Sequence, residues 1–183
     1  MQLDDDPELE AILITKEEST YMAYVFDKQG TAWNMVGSLS CYRACDANRF
    51  IRVQKLTEDS PTLLLCYRDL GGMGSVFMTT EAFQLRRGKL WRVFEIDDFS
   101  DVLFPSEVIR TQSVLASRDR LVIHTIREQP PGHRVRSSCD VWRWETSKHT
   151  FVQFPAERLK YCDPQTGNPI AGKAFPTPFP IHP

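Results

Sequence analysis

No stretch of this sequence approaches the roughly 20 apolar residues that a membrane-spanning helix requires, so no span is expected. Helical signals are just as scarce. No window of a dozen residues keeps apolar positions at three-and-four spacing behind a capping residue, which excludes a helical bundle. An excess of one charge is also missing: 22 Lys and Arg stand against 24 Asp and Glu. Such a balance gives no general footprint for nucleic acid or an anionic membrane. After Met1 comes Gln-Leu-Asp-Asp-Asp-Pro, the reverse of a basic and then apolar signal peptide.

The motifs of chemistry are absent as well. There is no Gly-x-Ser-x-Gly elbow, no catalytic-cysteine signature and no zinc-protease helix. Gly71, Gly72 and Gly74 lie between strands and no P-loop lysine follows them, so they form a turn and not a phosphate cradle. Cys41 and Cys45 have no second pair at zinc-finger distance. His124, His133, His149 and His182 make no metal-ligand spacing with a cysteine. No catalytic, cofactor-binding or metal-ligating residue is therefore assigned, and no cofactor is expected.

What is present is a strand grammar. Residues 49–65 recur in outline at 107–123: Ile51-Arg52-Val53-Gln54 matches Ile109-Arg110-Thr111-Gln112, and Leu63-Leu64-Leu65 matches Leu121-Val122-Ile123. Spacers of equal length, 55–62 and 113–120, separate the two parts of each copy. Gly30 and Trp33 match Gly88 and Trp91 at the same 58-residue offset. A fixed offset of this kind points to duplicated supersecondary units.

The expected fold is all-β, with about three antiparallel β-meander units at 11–37, 49–98 and 107–155 in a single domain of residues 1–155. Strands are expected at 11–15, 21–26 and 31–36 in the first unit, and at 50–56, 62–67, 75–85 and 90–96 in the second. The third unit repeats them at 108–115, 120–127, 134–144 and 150–154. Ile51 and Val53 alternate with Arg52 and Gln54, the pattern of a strand with one wet face. The unbroken Leu63-Leu64-Leu65 run predicts burial on both faces. Trp142, Trp144 and Phe151 are read as core and rim aromatics, because large rings bury the most area per residue. Residues 156–183 hold half of the 12 prolines and cannot form a central strand. They are read as an extended tail laid on the domain and anchored by Phe175 and Phe179, or as a disordered one.

Five cysteines leave at least one outside any intrachain pairing. One scheme joins Cys41 to Cys45 and Cys139 to Cys162 and leaves Cys66 in the core; reduced cysteines filling small core sites are the alternative. The first scheme points to an oxidising, extracytoplasmic compartment, periplasmic or secreted.

The succession of strand, glycine-rich turn, strand ending in Trp or Phe, Gly-Lys turn and then Leu90-Trp91-Arg92-Val93 resembles the blade repeats of secreted FG-GAP and VCBS-type proteins. The resemblance implies propeller-like sheets across residues 11–154. It brings no calcium site, since Asp97-Asp98-Phe99-Ser100-Asp101 lacks the glycine and the spacing of that family's loop. Three units also fall short of the usual four to eight blades, so a closed barrel or a sandwich stands as the alternative architecture.

Two charged clusters have plainer readings than a ligand site. Glu95, Asp97, Asp98 and Asp101 suit a solvated turn between units better than a hard-cation site. Arg86, Arg87, Lys89 and Arg92 suit a hairpin tip that guards a sheet edge better than a phosphate site. The expected function is a non-catalytic extracytoplasmic binding or interaction module with a protein or glycan partner and no nucleic acid. A hydrolase of carbohydrate or peptide is the alternative, with catalytic groups on the turns after Tyr67 and Arg127. A small-ligand-carrying β-barrel is the second alternative.

Overall fold

The computed structural model describes residues 3, 9–42, 50–69, 76–103, 106–116, 119–129 and 134–170. The glycine-rich turn, Cys45, His133, His182, Phe175 and Phe179 fall outside them. The chain is all-β, as expected, and its contacts divide into two compact units. The first comprises Met1–Lys55, Pro61–Leu70 and Met78–Ile96, and the second Leu56–Ser60, Gly71–Phe77 and Asp97–Pro183.

The first unit contains a three-stranded sheet in the order β1-β2-β3, made of β1 (Ala11–Glu17), β2 (Thr20–Gln29) and β3 (Ala32–Tyr42). Its loops are two-residue hairpins, and Gly30 supplies the expected left-handed backbone at φ 62°. The unit also holds β4 (Ile51–Gln54), β5 (Leu63–Asp69), β6 (Val76–Arg86) and the start of β7 (Lys89–Leu103), paired in that order. The inner face of β1–β3 presents Ile12, Ala23, Val25 and Leu39, which pack on Leu64, Cys66, Phe83 and Leu85. The run Leu63-Leu64-Leu65 is buried on both faces, as its lack of alternation predicts. At Gly37 an added Cβ would come 2.7 Å from Cδ1 of Leu90, so glycine lets β3 approach that side chain.

In the second unit the ladder runs from the end of β7 through β8 (Ser106–Ala116), β9 (Leu121–Gln129), β10 (Arg134–Glu145) and β11 (Thr150–Gln153). Leu121, Val122 and Ile123 are buried, and Trp144 meets Phe151 edge-on at 5.3 Å between ring centres. Among the described residues no sheet closes on itself, which corrects the closed-barrel alternative.

Two further expectations are corrected, and the two spacers of equal length take different structures. Residues 97–101 are not a turn: β7 runs on to Leu103 and pairs with β8 through Phe99↔Arg110 and Asp101↔Val108. Ladder hydrogen bonds outweigh the poor strand propensity of aspartate there. The two spacers also differ. β8 continues through Ser113–Ala116, whereas β4 stops at Gln54. There, Ser60 Oγ accepts from the Leu56 and Thr57 amides, and Pro61 has no N–H to give a ladder. Finally, the segment after Phe154 is not extended at first: a 3-10 turn at Pro155–Glu157 leads into the single helical turn α1 (Arg158–Tyr161). Proline at the first position of the turn suits this start, since its missing N–H would have no helical partner anyway.

Candidate functional site

Three places bring chemistry-bearing residues together, each within one unit. The first is the outward face of β1–β2–β3. Side chains alternate along a strand, and the register sets Leu13 beside Tyr24 and Ser38, Ala11 beside Phe26 and Met35, and Thr15 beside Met22 and Ser40. A bulge between Val25 and Phe26 keeps Met35 on this face despite the extra residue, Val36. Leu13 is 54%, Met35 61% and Trp33 49% exposed, with Met22, Tyr24 and Phe26 half-buried between them.

The second place is a cavity of about 310 Å³ in the same unit, lined by Ser38, Leu39, Ser40, Glu81, Phe83 and Arg92. Glu81 is the single charged residue in the run from Val76 to Leu85, and it points to the same side of β6 as Phe83 and Leu85. Its side chain is only 4% exposed and accepts a 2.8 Å hydrogen bond from Arg92 Nη1. The same Nη1 lies 2.8 Å from Glu95, and Arg92 itself is about half exposed. The hydrogen bond to Glu81, followed by the charges of Glu95 and Glu81, holds the Arg92 guanidinium above its ordinary pKa.

The third place is a clasp in the second unit. His124 Nε2 lies 2.6 Å from Ser137 Oγ, and that hydroxyl is 2.9 Å from Asn168 Oδ1 and 3.2 Å from the Gly167 carbonyl. The Gly167 carbonyl can only accept. With the hydroxyl donating toward Gly167 and Asn168, the matching His124 tautomer is the one that donates its Nε2–H to Ser137 Oγ. A general base needs the opposite polarity. Burial lowers the His124 pKa, partly offset by its hydrogen bond to Asn168.

The clasp continues on both sides. Asp163 Oδ1 accepts from the Gln165 and Thr166 amides and closes the turn that brings Gly167 round. At Gly167, with φ 70°, an added Cβ would collide with the Ser137 carbonyl oxygen. Cys139 and Cys162 form a disulfide pair with Cα atoms 5.7 Å apart. Arg120 donates to Glu157 and pairs with Asp119, which ties the turn at Pro155–Glu157 to the start of β9.

The charged clusters read from the sequence are treated differently by the fold. Arg87 and Gly88 form the β6–β7 hairpin tip, both with positive φ, as a type I′ turn requires. Arg86 turns back over the Trp91 ring, 5.5 Å from its centre, and Trp91 Nε1 donates to the Arg86 carbonyl. Glu95 pairs with Arg92. The loops Gly30–Thr31 and Arg87–Gly88 differ by one residue relative to the offset that aligns Gly30 with Gly88. Trp33 is therefore the second residue of its strand and Trp91 the third, and both are about half exposed.

The Glu81–Arg92 pair escaped the sequence reading, although a lone carboxylate in an apolar strand was a usable signal. Among the described residues no group of three or more His, Cys, Asp or Glu is placed to hold a metal, and no helix is long and apolar enough to cross a membrane. Comparison with protein-family models, curated proteins and solved structures finds no match for this chain.

Proposed function

We propose that this chain is a non-catalytic, extracytoplasmic interaction module that docks a protein partner on the outward face of β1–β2–β3. The carrying observation is the exposure of Leu13, Trp33 and Met35 around Met22, Tyr24 and Phe26. A solvated sheet face carries polar side chains at its outward positions. Here the outward rows set Leu13, Met22, Tyr24, Phe26, Trp33 and Met35 among Thr15, Ser38 and Ser40, and the aromatic and thioether side chains are those enriched at interface cores. The exposed aliphatic and thioether side chains Leu13 and Met35 beside the aromatics match a protein interface core, so the surface favours a protein. The disulfide pair of Cys139 and Cys162 supports an oxidising compartment.

The hydrolase alternative has one supporting contact, His124 to Ser137, and the polarity of that hydrogen bond weighs against it. A fluorophosphonate probe is expected to leave Ser137 unlabelled; labelling would favour the enzyme. For the docking face, a photo-crosslinking residue is placed at Met35 and, as a control, at Lys148, in cells of the source organism. The expected result is a discrete protein adduct from position 35 alone, lost with Leu13→Asp. Equal adducts from both positions, or none from 35, would refute the proposal. An adduct with a second copy of the chain, matched by a dimer in ultracentrifugation, would identify the partner as the chain itself.

A further inference from the structure

The docking face leaves the free edge of its own sheet without a role. Among the described strands β1 pairs with β2 alone, and the hairpin that joins them closes on Glu17 and Thr20. The closing pair of a two-residue hairpin exchanges backbone hydrogen bonds, and successive pairs along the ladder alternate. Leu13 and Thr15 therefore bond to β2, whereas the N–H and C=O groups of Ile12, Ile14 and Lys16 point away from it. Sheet edges are ordinarily protected by short strands, charge, proline or a bulge. The edge strands β4 and β11 are 4 residues long, and Val36 forms a bulge in β3. From Ala11 to Thr15, β1 has none of these. It is regular and uncharged there, and it exposes Leu13 on one face and Ile14, at 37%, on the other.

Such an edge recruits another strand, and the free backbone groups set its register. With a second copy of β1 laid antiparallel, one alignment uses all three free residues. Ile14 then faces the partner's Ile14, while Ile12 and Lys16 face the partner's Lys16 and Ile12, each pair exchanging two hydrogen bonds. Every other antiparallel alignment leaves at least one of the three unpaired. The same alignment spans β1 completely, from Ala11 beside the partner's Glu17 to Glu17 beside the partner's Ala11. It covers Ile14 with an identical apolar side chain, sets Leu13 beside the partner's Thr15, and places no charge opposite a like charge. A contact that maps onto itself in this way is what a twofold interface requires. We infer that two copies of this chain pair edge to edge through β1, antiparallel and centred on Ile14, so that their three-stranded sheets become one continuous sheet.

Sedimentation velocity and residue-resolved hydrogen exchange of the full chain, each over a range of protein concentration, test this. The dimer fraction should rise with concentration, and with it the protection of the Ile12, Ile14 and Lys16 amides. The Leu13 and Thr15 amides, already bonded to β2, should change least. Ile14→Lys or Ile14→Glu alone sets like charges opposite each other and should weaken the dimer by about tenfold or more, whereas an equal mixture of the two should restore it. Met35→Asp lies two strands from the junction and should leave the dimer intact, so this inference and the docking face fail separately. A monomer at every concentration overturns the inference. So does a dimer that survives both single substitutions, is not restored by the mixture, or is lost with Met35→Asp. Should the Ile14 variants not fold, hydrogen exchange of the native chain decides: protection of Ile12, Ile14 and Lys16 that is independent of concentration overturns it.

Discussion

In the first unit, aliphatic side chains of β2, β4, β5 and β6 meet between two sheets, with Leu3, Val25, Leu64 and Leu85 almost fully buried. In the second, Leu121, Ile123, Trp144 and Phe151 are buried too, but the cluster that meets the segment after Phe154 is Val122, Val141, Cys139 and Cys162, half of it a cystine. Around it stand an ion pair and a hydrogen-bonded clasp. The contrast shows two ways to hold segments on a sheet. Where strands supply apolar residues on facing sides, burial suffices, at roughly 25 cal/mol per Å² of apolar surface. Where the segment is short, proline-broken and mostly exposed, as at residues 155–170, it offers little apolar area. Cross-links and directional bonds then take over.

The contrast can be broken at its strongest point first. Leu64→Ala removes a side chain from the centre of the first core and should cost about 3–4 kcal/mol, seen as a lower urea midpoint. Opening the Cys139–Cys162 pair, by the double serine variant, should cost about 3 kcal/mol in a chain-entropy account. Hydrogen exchange sharpens the comparison: dithiothreitol should raise exchange in β10 and residues 158–170 and leave β2 and β5 unchanged. Equal loss of protection in both units would contradict the division of labour. Arg120→Ala leaves the Glu157 carboxylate with Lys160 alone and should cost about 2 kcal/mol, the loss of one charge-assisted hydrogen bond. Gly167→Ala adds a collision with the Ser137 carbonyl to an unfavourable backbone, about 2 kcal/mol, with detachment of 163–170 visible by limited proteolysis.

The smallest expected effect depends on pH. The folded pKa of His124 lies below its ordinary value of 6.5 because of burial, so the unfolded chain takes up a proton first. His124 therefore contributes fully above pH 6.5, and its contribution is lost as pH falls from there through the lower folded value. Glu157, held below the usual carboxylate range of 4.5 chiefly by its hydrogen bond from Arg120, acts in a separate window below that pH. Urea midpoints at pH 7.5 and 5.5 should differ in the native chain, and His124→Gln should remove the difference. A slope that survives the substitution would assign it to other groups.

Several features could be read from the residues in order. The absence of alternation in Leu63-Leu64-Leu65 gave their burial, and Gly30 and Gly88 gave their hairpins, whereas the alternating residues of β4 are all half-buried and show no wet face. The acidic run misled because propensity favours a turn for aspartate, while pairing with β8 holds residues 97–101 in a strand. The short helix after Phe154 was hidden by the tail's prolines, although Pro155 at its start is compatible with a helical turn. Glu81 and Arg92 lie 11 residues apart on strands joined by a tight turn, so their meeting was within reach. Ser137 and Asn168 are 31 residues apart, and nothing local in the sequence joins them.

Outside residues 97–101 and 155–161, strand identity and turn position were thus determined by the sequence alone, because backbone sterics and the two-residue alternation of side chains act between near neighbours. The tertiary structure alone decided which face of β1–β2–β3 stays open, that one guanidinium serves two carboxylates, and which hydroxyl His124 meets. Those outcomes depend on register and on contacts between distant segments, where a shift of one residue reverses every face and no local preference restores it.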